Sequence, residues 1–217
     1  MNPALIDYEG YAFPARGVGP GDRAIVWLRG CDRGCPGCMA PELWRAGVAR
    51  PVEELAAALV PLLEDADGLT VSGGEPLHQA TAIESLMALL RARYPVLEVL
   101  LYTGYTLAEA RQLGPEVESL LDAVDIVVDG PYMRDETDEL QWRGSDNQHV
   151  HLLSEASLRW AGADERPKAD PSQLGVQIVG ANHVRIVGIP PRGVLERYRA
   201  SLAARGIVAG KRGLVES

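Results

Sequence analysis

The 217-residue chain has only three cysteines, and none lies outside residues 31–38. An odd count excludes a fully paired disulfide framework. It also leaves no thiols for a second, auxiliary metal cluster. Basic residues are in deficit, with 21 Lys and Arg against 30 Asp and Glu, for a formal net charge of −9. The phosphate backbone of a nucleic acid would repel such a chain, so no nucleic-acid partner is expected. No apolar run reaches the length of a membrane span, so no membrane partner is expected either. The N-terminal stretch from Met1 to Asp7 has no basic region followed by an apolar one and does not read as a signal peptide. Unpaired thiols without an export signal point to the reducing cytoplasm. Internal repeats and low-complexity tracts are absent as well.

Hydrophobic residues make up 47% of the chain and charged residues 24%, which is ordinary for a globular protein. A domain of this length buries roughly 70% of its unfolded surface and needs no covalent staple. Against that background the run Gly30-Cys31-Asp32-Arg33-Gly34-Cys35-Pro36-Gly37-Cys38 stands out. Three thiolates on one short loop can hold three irons of a cubane cluster and leave the fourth iron open to a small molecule. The glycines let backbone wrap closely around an inorganic core, and Pro36 stiffens one turn. Buried structural thiols and a zinc site remain alternatives. Zinc of the Cys3His type needs a nearby histidine, and His78 is the nearest in sequence.

Hydrophobic periodicity predicts strands over residues 23–29, 69–72, 97–102 and 124–129. Helices are predicted over 52–64, with Leu55, Leu59, Leu62 and Leu63 on one face, and over 79–93, with Leu86, Met87, Leu89 and Leu90 as its apolar side. Pro61 should kink or shorten the first of these helices. Thr106 and Glu109 have capping-box spacing, and Gly114-Pro115 should break the helix that follows. Strands alternating with helices predict an α/β fold with a parallel sheet. Loops after parallel strands share one rim, where ligands bind. The cysteine loop, Gly73-Gly74-Glu75, Thr103-Gly104-Tyr105 and Gly130-Pro131 all fall there.

Each of these has a plain structural reading too. Gly73, Gly74 and Glu75 either hold a ligand or make an ordinary strand-to-helix turn. Thr103 either presents a hydroxyl or closes a tight turn. Asp129 is either a site residue or a turn anchor. His149 and His151 share a strand face and are expected to be solvated or to face a partner rather than to bind metal. Residues 134–148 are polar and turn-rich. Residues 161–173 read as a linker, 175–180 and 183–189 as a hairpin joined by Ala181-Asn182, and 193–205 as a last helix.

Cys31-x-x-x-Cys35-x-x-Cys38 with Ser72-Gly73-Gly74-Glu75-Pro76 resembles the radical S-adenosylmethionine superfamily. The chain more narrowly resembles the glycyl-radical-enzyme activases, in particular those of anaerobic ribonucleotide reductases. This likeness is carried by Gly19-Pro20-Gly21-Asp22-Arg23, Cys35-Pro36-Gly37-Cys38, Pro41-Glu42-Leu43-Trp44, Ser72 to His78, Thr103-Gly104-Tyr105-Thr106, Val128-Asp129-Gly130 and Trp142 to Gln148. The resemblance implies a small incomplete (β/α) barrel over residues 1–155. Residues 156–217 then form a C-terminal extension of linker, hairpin and helix. It further implies a 4Fe–4S cluster on Cys31, Cys35 and Cys38, and S-adenosyl-L-methionine on the open iron. Gly73, Gly74 and Glu75 would secure its methionyl part, and Thr103 and Asp129 its ribose or adenine. One-electron cleavage would give a 5′-deoxyadenosyl radical that makes a glycyl radical on a partner enzyme, with flavodoxin or ferredoxin as reductant. The added C-terminal residues keep two other functions open. One is radical modification of another peptide or small substrate, and the other is a non-enzymatic iron–sulfur redox sensor.

Overall fold

Strand β3 (Arg23–Leu28) sends Ala24, Val26 and Leu28 to one face and Arg23, Ile25 and Trp27 to the other, as the two-residue period of a strand requires. The computed structural model describes residues 3–136, 139–167, 174–179, 183–191 and 193–205. From β3 the chain runs through β4 (Arg50–Pro51), α1 (Val52–Leu63), β5 (Gly68–Gly73), α2 (Ala80–Arg93), β6 (Val99–Tyr102), α3 (Leu107–Ala110), α4 (Pro115–Ala123) and β7 (Ile126–Asp129). Two strands precede β3, the two-residue β1 (Leu5–Ile6) and the eight-residue β2 (Tyr8–Ala15), and β8 (His149–Leu152) follows β7. The main sheet has the order β2-β3-β5-β6-β7-β8. β3, β5, β6 and β7 are parallel, while β2 and β8 run antiparallel at the two ends. β1 pairs separately with β4.

The four predicted strands and their intervening helices are therefore present, but the architecture is a mixed α/β sheet with two antiparallel end strands. No closed barrel is formed among the described residues. Helices α1, α2 and α4 cover one face. Leu55, Leu59, Ile83, Leu86, Leu90, Leu120 and Leu121 pack there on Ala24, Val26, Leu69, Val71, Val99, Leu101 and Val127. Each fully buried leucine or isoleucine contributes roughly 1.5–3 kcal/mol. Two expectations about helix faces change. Leu89 is exposed, and Ile83 takes the core position. Pro61 does not shorten α1, which runs on to Leu63. A proline so close to a helix end removes only one late hydrogen bond.

The capping box is formed. Thr106 accepts from the Glu109 amide, and the Glu109 carboxylate accepts from the Thr106 amide. Gly114-Pro115 separates α3 from α4. At the end of the strands away from the cysteine loop, Arg23 is fully buried. It donates to Glu98 Oε1 at 3.0 Å and to Thr70 Oγ1 at 2.8 Å. Glu98 Oε2 also accepts from Arg159 at 2.7 Å and from Trp160 Nε1 at 2.9 Å. This ion group ties the start of β3 to the segment after β8.

The predicted hairpin is present as β9 (Gly175–Val179) antiparallel to β10 (His183–Val187), and the last helix as α5 (Val194–Ala203). The Ala181-Asn182 junction, the stretch 168–173 of the predicted linker and residues 206–217 lie outside the described residues. No helix among the described residues is long and apolar enough to cross a membrane.

Candidate functional site

β3 ends at Leu28 and delivers the chain directly into the cysteine loop. The base of that loop is pinned by backbone bonds, Gly30 N to Leu43 O at 2.9 Å and Cys31 N to Trp44 O at 3.0 Å. Leu43 anchors the returning limb in the interior. β5 lies beside β3 and ends in the glycine pair. There the chain crosses under the loop so closely that side chains are forbidden. A Cβ on Gly73, whose φ is +114°, would sit 2.4 Å from the backbone N and O of Leu28, and one on Gly74 would sit 2.5 Å from Gly30 O. Gly74 N donates to Leu28 O at 2.7 Å and Glu75 N to Gly30 O at 2.8 Å. The glycines thus serve the contact between two backbones at the root of the loop.

The rim loops meet in a cleft of about 380 Å³ lined by Cys31, Cys35, Cys38, Gly73, Gly74, Glu75, Thr103, Gly104 and Gly130. Glu75 is 1% exposed. Its Oε1 accepts from Leu77 N at 3.0 Å and from Thr103 Oγ1 at 2.8 Å, and its Oε2 accepts from Gly104 N at 2.8 Å. Burial raises its carboxyl above the ordinary glutamate value, although the Gly104 and Leu77 amides and the Thr103 hydroxyl favour the charged form. A carboxylate has about four lone-pair sites. Three are used by the protein, so one acceptor site, on Oε2, remains for a ligand donor. The Thr103 hydroxyl donates to Glu75 and accepts from the Tyr105 amide, which holds the carboxylate in place.

Asp129 is not among the residues lining the cleft. Its Oδ2 accepts from Leu107 N at 2.6 Å and its Oδ1 from His149 N at 3.1 Å, so it anchors the start of α3 and the edge strand β8. The two histidines flank it. His151 Nε2 is 3.0 Å from Oδ2, close enough for an ion pair though not aligned as a hydrogen bond, and His149 Nδ1 is 3.6 Å from Oδ1. The two amides occupy one acceptor site on each oxygen and give Asp129 an anchoring role, set back from the cleft where the ribose or adenine contact was expected.

Burial alone would raise the Asp129 carboxyl, but His151 and the Leu107 and His149 amides outweigh it and hold it below the ordinary aspartate value. A depressed folded pKa contributes stability above the unfolded value, about 3.9, which is lost as pH falls through the folded value. Asp129→Asn should therefore destabilise the protein at neutral pH by about 1–3 kcal/mol. The gap from wild type should close as both are titrated below about pH 4 in urea melts. Equal stability at neutral pH would refute the anchor.

Several cleft residues escaped the sequence reading. Trp27 and Tyr102 project from β3 and β6 onto the cleft face. The Tyr102 hydroxyl donates to Trp142 O at 2.7 Å. Arg33, inside the cysteine loop, lies 4.2 Å above the Tyr105 ring, and its buried Nε has no partner. Gln148 also lines the cleft. It accepts from Gly144 N at 2.7 Å and donates to Gly130 O at 3.0 Å, bracing the rim. The signal for Trp27 and Tyr102 was the strand alternation itself, which put them on the face opposite the aliphatic core.

The donor set fits a three-thiolate cluster. All three cysteines are free and half-buried on one cleft wall. Ala40 N donates to Cys38 Sγ at 3.4 Å. Burial pushes the Cys31 thiol up, opposed by the Arg33 and Gly34 amides that favour the thiolate. Amides aimed at cluster sulfurs are the usual means of tuning such a group. Among the described residues no three His, Cys, Asp or Glu side chains are placed to hold one metal ion together. A cubane instead takes each thiolate on a different iron.

Residues 18–151 match the family of the 4Fe–4S single cluster domain. A relative from Vibrio cholerae is 35% identical over 144 residues, which is 63% of this chain and 91% of the relative. One from Escherichia coli K12 is 34% identical over 143 residues, 62% of this chain and 91% of the relative. One from bacteriophage T4 is 34% identical over 139 residues, 61% of this chain and 85% of the relative. All three bear the name anaerobic ribonucleoside-triphosphate reductase-activating protein. A shared single-cluster region, with the cysteine loop and the glycine turn meeting in one cleft, leads to one conclusion: the chain belongs to the 4Fe–4S single-cluster family, within the group of anaerobic ribonucleoside-triphosphate reductase-activating proteins.

Proposed function

We propose that this chain is a radical S-adenosylmethionine activase that makes a glycyl radical on an anaerobic ribonucleotide reductase. The observation that carries this reading is the meeting of three free thiols with the buried Glu75 carboxylate in one cleft. Cys31, Cys35 and Cys38 would hold the 4Fe–4S cluster. The reduced cluster, when bound, supplies the electron that breaks the sulfonium carbon–sulfur bond of S-adenosyl-L-methionine. The chain's own residues bind and orient. Glu75, fixed by Thr103, Gly104 and Leu77, offers its remaining lone pair to the methionyl ammonium. The Gly73-Gly74 turn keeps the cysteine loop against that carboxylate. Arg33 brings a positive charge to the same wall for an anionic group. Water exclusion by the cleft walls protects a reactive radical from quenching.

The finer fold reading is a partial barrel over residues 1–155 with 156–217 as an added extension. The setting is the cytoplasm, with flavodoxin or ferredoxin as reductant and no nucleic-acid partner. Glu75→Ala should weaken S-adenosylmethionine binding roughly tenfold or more, the value of a charged hydrogen bond in a buried site. Iron content should stay near normal, and an unchanged isotherm would remove Glu75 from the site.

The reading is tested by anaerobic reconstitution with iron and sulfide, followed by reductant and S-adenosylmethionine. It expects 5′-deoxyadenosine, and a glycyl radical by electron paramagnetic resonance on added reductase. Bound zinc, or an iron spectrum indifferent to S-adenosylmethionine, overturns it. Cleavage without a radical on the reductase would favour modification of another peptide or small substrate.

A further inference from the structure

Among the described residues, α1, α2 and α4 all lie on one face of the main sheet. The other face carries Ile25 and Trp27 from β3, Leu100 and Tyr102 from β6, and Ile126 and Val128 from β7. Parallel strands are stable with both faces covered. Here part of the second cover comes from the C-terminal hairpin. Val187 is fully buried against Ala12, Ala15, Val18 and Ile25, and Ile189 packs on the same cluster. Ile186, Gly188 and Ile189 border the cleft that holds the three cysteines and Glu75. The hairpin lies beyond the family match, which ends at residue 151. The match to the Vibrio relative uses 91% of that protein but only 63% of this chain.

The strand register gives the cleft a depth. Trp27 pairs with Ser72, just before the glycine turn, and Ile25 pairs with Thr70, two residues further into the sheet. The charged and hydrogen-bonding groups, Arg33, Glu75 and Thr103, belong to the loops at the strand ends. The aromatic and aliphatic groups, Ile25, Trp27, Tyr102, Ile186 and Ile189, lie on the sheet face and the hairpin. A ligand with a zwitterionic end and a flat, mostly apolar ring end matches that division.

We propose that the hairpin is a wall of the cofactor cleft, supplied by the chain itself, and that Ile186 and Ile189 cover the adenosyl end of bound S-adenosylmethionine. This rests on the activase reading above. The wall makes the cofactor pocket of this chain depend on residues that lie outside the shared family region. It also places aliphatic surface where an open sheet face would admit water to the radical.

Hydrogen–deuterium exchange of the reconstituted full-length holoprotein, with and without S-adenosylmethionine, tests this without any substitution. The expected result is slowing of several-fold over residues 183–189, together with slowing over 31–38 and 73–75. Slowing at the cysteine loop and glycine turn with none over 183–189 overturns the wall and leaves the activase reading standing. Slowing nowhere overturns both. In the full chain, Ile186→Ala and Ile189→Ala should each weaken S-adenosylmethionine binding roughly tenfold, the usual effect of trimming an apolar pocket. Iron content should remain near wild type. Affinities within twofold of wild type for both variants also overturn the proposal.

Discussion

Replacing Cys31, Cys35 or Cys38 with alanine is expected to abolish S-adenosylmethionine cleavage, one substitution at a time. The loss should exceed about a hundredfold, because even partners outside the ligand sphere are worth roughly 10–100-fold in metal affinity or activity. The chain has no spare thiol to step in, since these three are all it contains. Folding should survive. The loop is held at its base by the Gly30 and Cys31 amides and by buried Leu43, none of which the substitutions touch. The measurement is 5′-deoxyadenosine formation after anaerobic reconstitution, beside iron content and circular dichroism. A Cys38→Ala protein that still cleaves the cofactor would remove Cys38 from the ligand set. A variant that loses its dichroism would instead show a structural thiol.

The second large effect is expected at the glycine turn. Gly73→Ala requires a side chain at φ +114° with its Cβ 2.4 Å from the Leu28 backbone. Strained backbone costs roughly 1–3 kcal/mol, and overpacking against an immovable neighbour roughly 1–3 more. Gly74→Ala carries the packing part alone, against Gly30 O at 2.5 Å. Both should shift urea midpoints strongly downward, Gly73→Ala more than Gly74→Ala. Iron uptake should fall with them, because the displaced backbone is the root of the cysteine loop. Wild-type midpoints for both would show that the two strands do not cross so closely. This outcome separates the turn from Glu75, whose truncation should spare iron and weaken only the cofactor.

What could be read from the chain without its fold was local. The cysteine spacing, the capping box of Thr106 and Glu109, the break at Gly114-Pro115 and the strand alternation each depend on neighbours a few residues away. Those short-range constraints act the same in any fold that keeps the segment. The grouping of four rim loops was also legible, because parallel strands joined by helices place their following loops at one end.

The exposure of Leu89 was legible after all, since Ile83, Leu86, Met87 and Leu90 follow the i, i+3, i+4, i+7 spacing of one helix face and Leu89 falls off it. Other features needed the assembled protein. Asp129 looked equally suited to a ligand or a turn. It became an anchor because Leu107 and His149, 22 and 20 residues away, present amides to it. Glu75 and Thr103 are joined across 28 residues. The hairpin gave no sign in sequence of which surface it would cover.

The chemistry this chain can carry was set by residue type and spacing alone, because thiolates held a few residues apart cannot help sharing one loop. Which groups surround that loop was left to the tertiary structure. Contacts between distant segments follow from how apolar faces find cover, and that is a property of the whole sheet, not of any stretch within it.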